Sequence, residues 1–189
     1  MKYEEKAIKE YLRELASRAP APGGGSASAL VGAIGASCLL KAVNFTLGNE
    51  KYESVSSDMK KILKGAERIK GNFEKLSSED VRAYGELSEA FKLPKGAERA
   101  SRVQAALKEA MRVPLEICGN ACEAVKLCPV VREKGNRNLV SDVDCAESML
   151  KCAYDAALIN VRVNLKCIND KAFCEETQTT LEKMEGEIK

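Results

Sequence analysis

The 189-residue chain contains no histidine. That absence excludes Ser-His and Cys-His nucleophile pairs, HExxH zinc sites and imidazole as a proton shuttle. Acid–base chemistry must come from carboxylates, Lys, Tyr or Cys. An excess of either charge is also missing: Lys plus Arg is 30, Asp plus Glu is 28, and the net is +2. Such a balance gives no electrostatic reason to bind nucleic acid or an anionic membrane. The longest uncharged stretch, Ala19 to Leu40, is interrupted by Pro20, Pro22 and Gly23-Gly24-Gly25, so no uninterrupted apolar run points to a membrane span. The N-terminus is charged from Lys2 onward and unlike a secretory signal. No CxxC occurs among the eight cysteines. Cys118 and Cys122 are four apart, and the pairs Cys145/Cys152 and Cys167/Cys174 seven apart. These are helical repeats, so the thiols read as small buried hydrophobes rather than a disulfide framework or metal set, and as reduced in a cytoplasmic setting. A chain of this length buries a core without staples.

No strand pattern of period two persists, and glycine and proline gather at a few breaks. The expected fold is all-α, a bundle of long antiparallel helices, paired as a dimer. A first helix over 2–18 carries Ile8, Tyr11, Leu12 and Leu15 on one face. After the Pro/Gly break, Ser26 is positioned to cap a second helix reaching Leu47. This helix is rich in small residues (Ala27, Ala29, Gly32, Ala33, Gly35, Ala36), as suits a central bundle helix or a dimer interface. From Tyr52 a heptad runs through Met59, Ala66, Phe73, Asp80 and Leu87, beside Val55, Ile62, Ile69, Leu76, Ala83 and Ala90. It makes either one helix or two meeting near Ser77-Ser78. A fourth segment from Ala97 contains Pro114, expected to kink or divide it. Ser141 with Asp144 resembles a capping box opening a fifth helix to about Ile168, and a tail helix covers 171–187.

In a helical bundle, sites are built from polar side chains at inward positions. Asp80 is the only charged residue on the heptad stripe. Burial would raise its pKa toward the range useful for proton transfer. Alternatively, Ser77-Ser78-Glu79-Asp80 fits a cap for a helix restarting at Ser78, or Asp80 forms a structural ion pair. Asn160 and Asn164, one turn apart on an apolar face, could read a flat heterocycle or could simply fix helix register. The loop with Asn136, Asn138, Ser141 and Asp142 reads as a turn and cap, or as groups converging at a helix N-terminus where an anion is favoured. Pro22-Gly23-Gly24-Gly25-Ser26 lets backbone N–H groups approach a ligand, but no Gly-Lys-Ser/Thr follows, so it is not a Walker A loop.

These segments together resemble the cyclodeaminase part of the formiminotransferase-cyclodeaminase family. The resemblance is carried by Ala21-Pro22-Gly23-Gly24-Gly25-Ser26, Gly32-Ala33-Ile34-Gly35-Ala36, Asn44-Phe45-Thr46 and Lys51-Tyr52-Glu53. It continues through Glu79-Asp80 with Ala83-Tyr84, Ala90-Phe91 with Leu93-Pro94-Lys95, Val113-Pro114-Leu115, the Gly135–Asp142 loop, and Asn160-Val161 with Asn164-Leu165. The likeness spans about Leu15 to Phe173 and implies one cyclodeaminase-like helical domain over 1–189. It further implies a homodimeric or larger folate enzyme without a permanently bound cofactor or metal, acting on a tetrahydrofolate derivative. The implied reaction converts 5-formiminotetrahydrofolate to 5,10-methenyltetrahydrofolate with release of ammonia. Some relatives instead act as methenyltetrahydrofolate cyclohydrolases, and a non-catalytic helical interaction module is the remaining reading. Asp80 matches the family's presumed proton donor and acceptor. Gly23, Gly24, Gly25, Ser26, Asn44, Lys51, Asn138, Ser141, Asp142, Asn160 and Asn164 are the expected substrate contacts, with Lys51 or Lys95 reaching the tail carboxylates. Lys41 stands where an apolar residue is usual, and Asn49-Glu50 where a more basic pair is.

Overall fold

The computed structural model describes residues 3–188. Among these residues there is no strand. A 3-10 turn (Tyr3–Glu5) leads to α1 (Ile8–Leu15), α2 (Gly24–Thr46), a second 3-10 turn (Glu50–Val55), α3 (Ser56–Lys92), α4 (Ala97–Val125), α5 (Cys128–Lys134), a third 3-10 turn (Arg137–Leu139), α6 (Val140–Leu165) and α7 (Lys171–Ile188). Helices α2, α3, α4 and α6 form the four walls of the bundle, each packed on the next and α6 closing on α2. Short connections such as Leu93–Gly96 reverse the chain between neighbours. α7 leans on α4, while α1 and the first 3-10 turn lie across α2 and α3.

The heptad stripe of α3 faces the core: Met59, Ile62, Ala66, Ile69, Phe73 and Leu76 are buried. Small residues let α2 sit close to both neighbours. A Cβ at Gly32 would stand 2.6 Å from the Phe73 ring, and one at Gly35 would stand 3.1 Å from Leu150. By length and composition α2 could cross a membrane, yet most of that apolar window is buried within the bundle. A row on α2 stays open to solvent, with Ile34 46% and Phe45 59% exposed.

Several boundaries differ from the sequence reading. Residue 2 of the first helix expected over 2–18 lies outside the described residues, and α1 is only eight residues long. Of its apolar face Tyr11 is buried, while Ile8 and Leu12 are exposed. α2 begins at Gly24 with Gly23 as its cap, so Ser26 is inside the first turn. α3 runs unbroken past Ser78, because its core stripe continues on both sides of that point. α6 starts at Val140 without a side-chain cap, so Ser141 and Asp144 form no capping box; Asp144 pairs with Arg132 at 2.8 Å instead. The local cap is Asn136, which accepts from the Asn138 N–H at 3.1 Å. The cysteines divide: Cys118, Cys122 and Cys128 are buried, but Cys145, Cys152 and Cys167 are exposed.

α4 stays a single helix through Pro114. Proline supplies no N–H for the Ala110 carbonyl, one turn back. The Asn164 amide of α6 donates to that carbonyl at 3.3 Å. An interhelical hydrogen bond thus stands in for the missing intrahelical one.

Candidate active site

The bundle has a cleft of about 280 Å³ at the start of α2. The 20–25 turn supplies Pro20, Ala21, Gly23, Gly24 and Gly25. α3 supplies Asp80, Tyr84 and Leu87, α4 Ala110 and Pro114, and α6 Asn160 and Asn164. Four segments distant in sequence therefore meet at one carboxylate.

Asp80 does cap a helix, though not its own. Its Oδ2 accepts the Ser26 N–H at 2.9 Å, satisfying a main-chain donor in the first turn of α2 that has no intrahelical partner. The positive end of the α2 dipole faces the same carboxylate. Close approach is possible because residue 25 is glycine: a Cβ there would fall 2.0 Å from Asp80 Oδ1. Burial pushes the Asp80 pKa up, and the Ser26 N–H pulls it partly back. The group is thus a carboxylate made more basic by its surroundings while remaining open to a cleft. Burial pushes the pKa of its neighbour Glu79 up, but Lys75 and Arg112, which pair with it at 3.1 and 3.2 Å, outweigh that and hold it below the ordinary glutamate value.

The two asparagines have different duties. Asn160 donates to Ala156 O of its own helix at 2.9 Å and lies against Gly24. Asn164 spans to α4 as described. Each amide also carries a second N–H and a carbonyl oxygen. Asn160→Ala should therefore raise KM about tenfold and leave stability nearly unchanged. Asn164→Ala should also destabilise by about 1–3 kcal/mol, since it orphans the Ala110 carbonyl. Steady-state kinetics with urea denaturation of both variants checks the split.

The other expected contacts lie elsewhere. The Ser26 hydroxyl is buried behind the cleft wall, 3.0 Å from the Tyr11 hydroxyl and 2.9 Å from the Ser77 hydroxyl, and is not open to the cleft. Asn44, Lys51, Asn138 and Ser141 are exposed near the C-terminal end of α2, about 30 Å from Asp80 by the helical rise. Asp142 is there too, paired with Lys41 at 2.7 Å. Lys41 therefore does not face the Asp80 cleft. The reason is topological: the Asn136 loop is tied to the far end of α2 through Thr46 Oγ1 and the Phe45 carbonyl. Lys95 is exposed in the α3–α4 turn. No cation is among the residues lining the cleft.

Tyr84, 44% exposed, was not foreseen as a wall of the cleft. Its position one helical turn after Asp80 was the available signal. Its ring, with Leu87 and Pro114, offers a surface on which a flat heterocycle can lie.

The sequence profile of the formiminotransferase-cyclodeaminase family matches residues 7–183. A methenyltetrahydrofolate cyclohydrolase of Methylorubrum extorquens is 38% identical over 185 residues, covering 95% of this chain and 89% of its own length. The formimidoyltransferase-cyclodeaminase of Mus musculus is 29% identical over 97% of this chain, which spans 35% of that longer protein. The crystal structure of a formiminotetrahydrofolate cyclodeaminase from Thermotoga maritima matches with a TM-score of 0.91 at 30% identity, covering 98% of this chain and 91% of that one.

Proposed function

The chain belongs to the formiminotransferase-cyclodeaminase family and is an enzyme of this folate one-carbon class; from that premise we propose that it hydrolyses 5,10-methenyltetrahydrofolate to 10-formyltetrahydrofolate, with Asp80 as its acid–base group. The observation that carries the chemistry is the partly buried Asp80 carboxylate, anchored on the Ser26 N–H at the edge of the cleft. The choice of substrate is supported by the 38% identity to the Methylorubrum enzyme over nearly its full length.

In this reaction water attacks the cationic carbon between N5 and N10. Asp80 takes one proton from the water as the C–O bond forms, giving a carbinolamine. The bond from that carbon to N5 then breaks, Asp80 returns its proton to N5, and the hydroxyl proton leaves as the formyl carbonyl forms. One proton is released overall. While ionised, the carboxylate also stabilises the cationic substrate in a site where charge is poorly screened. Asn160 orients the heterocycle against Tyr84, and Asn164 holds the α4 wall.

A second reading is favoured by the likeness to the Thermotoga enzyme. There N10 attacks the protonated formimino carbon on N5, Asp80 accepts the N10 proton and passes it to the amino group, and ammonia departs. Both substrates should be assayed. Loss of the methenyl chromophore at catalytic rates, without ammonia release from the formimino compound, is the expected result. Ammonia release with no methenyl turnover overturns it in favour of the second reading. Inactivity on both overturns both readings of the substrate.

Pairing of two copies is part of the same proposal. It is supported by the open apolar row of α2 and by the exposed Ile159 and Val163 on neighbouring α6. The distant Asn44, Asn138, Ser141 and Asp142 then reach a substrate at Asp80 only from the second copy.

A further inference from the structure

Behind the cleft wall lies a buried run of three hydroxyls that the reaction itself does not touch. Tyr11 of α1, 3% exposed, places its hydroxyl 3.0 Å from Ser26 Oγ. Ser26, fully buried, is 2.9 Å from Ser77 Oγ of α3. Ser26 is also the residue whose N–H holds Asp80, and Ser77 precedes Asp80 by less than one turn of α3. The hydroxyls therefore bind α1, α2 and α3 together at the point where α2 presents its N–H. The α2 N-cap, Gly23, has no side chain with which to cap the helix, and the Ser26 N–H finds its partner outside α2, on Asp80.

We propose that Tyr11 is a positioning residue: through Ser26 and Ser77 its hydroxyl fixes the first turn of α2, so that the Ser26 N–H stays aimed at Asp80 Oδ2. This rests on the reading of Asp80 as the acid–base group. Without the Tyr11 hydroxyl, the Ser26 side chain loses one of its two partners and the turn carrying Gly25 and Ser26 loosens against α3. The N–H to Oδ2 bond lengthens on average. That bond favours the ionised carboxylate, so Asp80 then protonates at higher pH. The ionisable side chains near Asp80 among the described residues are Tyr11 from α1, Tyr84 and Glu79 along α3, and the Lys75 and Arg112 that pair with Glu79. α6 contributes the amides Asn160 and Asn164, and α4 contributes Ala110 and Pro114.

Tyr11→Phe keeps the ring and removes only the hydroxyl. The expected result is a kcat about tenfold lower with KM within about twofold, matching loss of roughly one hydrogen bond's worth of alignment. The acidic limb of the pH–rate profile should move up by about half a unit. In parallel, ¹³C NMR of the Asp80 carboxyl, assigned with Asp80→Asn, should show the same upward shift without any turnover. Ser77→Ala should do likewise from the α3 side. Tyr154→Phe is the control: that hydroxyl is also buried, has no partner among the described residues, and faces α4 and α7 rather than Asp80. It should leave profile and titration alone. Unchanged kcat and an unmoved Asp80 titration in Tyr11→Phe would overturn the proposal. So would a lower kcat tracking only a lower melting temperature, which would leave Tyr11 a structural strut. If Asp80→Asn retains turnover, the catalytic reading fails instead, and the Asp80 titration still decides whether Tyr11 positions it.

Discussion

Asp80→Asn should lower kcat by about 10²- to 10⁴-fold, the range of a lost general acid–base group. The fold should not suffer. The asparagine carbonyl can still accept the Ser26 N–H that Asp80 Oδ2 accepts now. Burial raises the Asp80 pKa. A group raised in this way contributes stability at pH below the ordinary carboxylate range and loses it as pH climbs through the raised value. At neutral pH the ionised carboxylate is therefore a net cost that asparagine does not carry, and the variant should melt at the same temperature or slightly higher. The wild-type profile follows from the same sign. A base must be ionised to take a proton, so kcat/KM should fall as pH drops through the raised pKa of Asp80. Melting curves and a pH–rate series on both proteins check this; retained activity in the variant would remove Asp80 from the mechanism.

Gly25→Ala should damage stability and catalysis together. Its new methyl would sit 2.0 Å from Asp80 Oδ1 and 2.6 Å from Cγ, distances no real contact reaches. Either α2 lifts from α3 or the carboxylate swings away, and both break the Ser26 anchor. Overpacking of this kind costs about 1–3 kcal/mol. Displacing the reactive group by an ångström costs about 10²-fold in rate. A double-mutant cycle isolates the cause. In an Asp80→Ala background the methyl meets no carboxylate, so Gly25→Ala should cost clearly less in urea denaturation than it does alone. Additive losses would show that the clash lies elsewhere.

Much of the bundle could be read from the chain because periodicity records which face is buried. The stripe from Met59 to Ala90 did so, and the one residue breaking it, Asp80, stands at the cleft. The Asn160/Asn164 pair reached the same cleft for the same reason, and the Pro-Gly turn reached it because its glycines let backbone come close. What could not be read was pairing across the chain. Ser77-Ser78 looked like a restart because a capping motif is local, whereas Asp80 caps α2 from a point 54 positions away. Ser26 looked like a ligand contact because nothing nearby in sequence shows Tyr11 and Ser77 closing around it. The Asn136–Asp142 loop seemed to belong with the glycines, but a 23-residue helix separates them. Motif order gives no measure of such a span.

The bridge from Asn164 to the Ala110 carbonyl ties two distant positions into one inheritance. A lineage that regained an ordinary residue at 114 would heal the α4 ladder and set Asn164 at liberty. One that lost Asn164 first would strand a bare carbonyl beside the cleft. Drift at these sites should therefore be ordered, the proline yielding before the asparagine, and descendants holding the proline alone should be scarce.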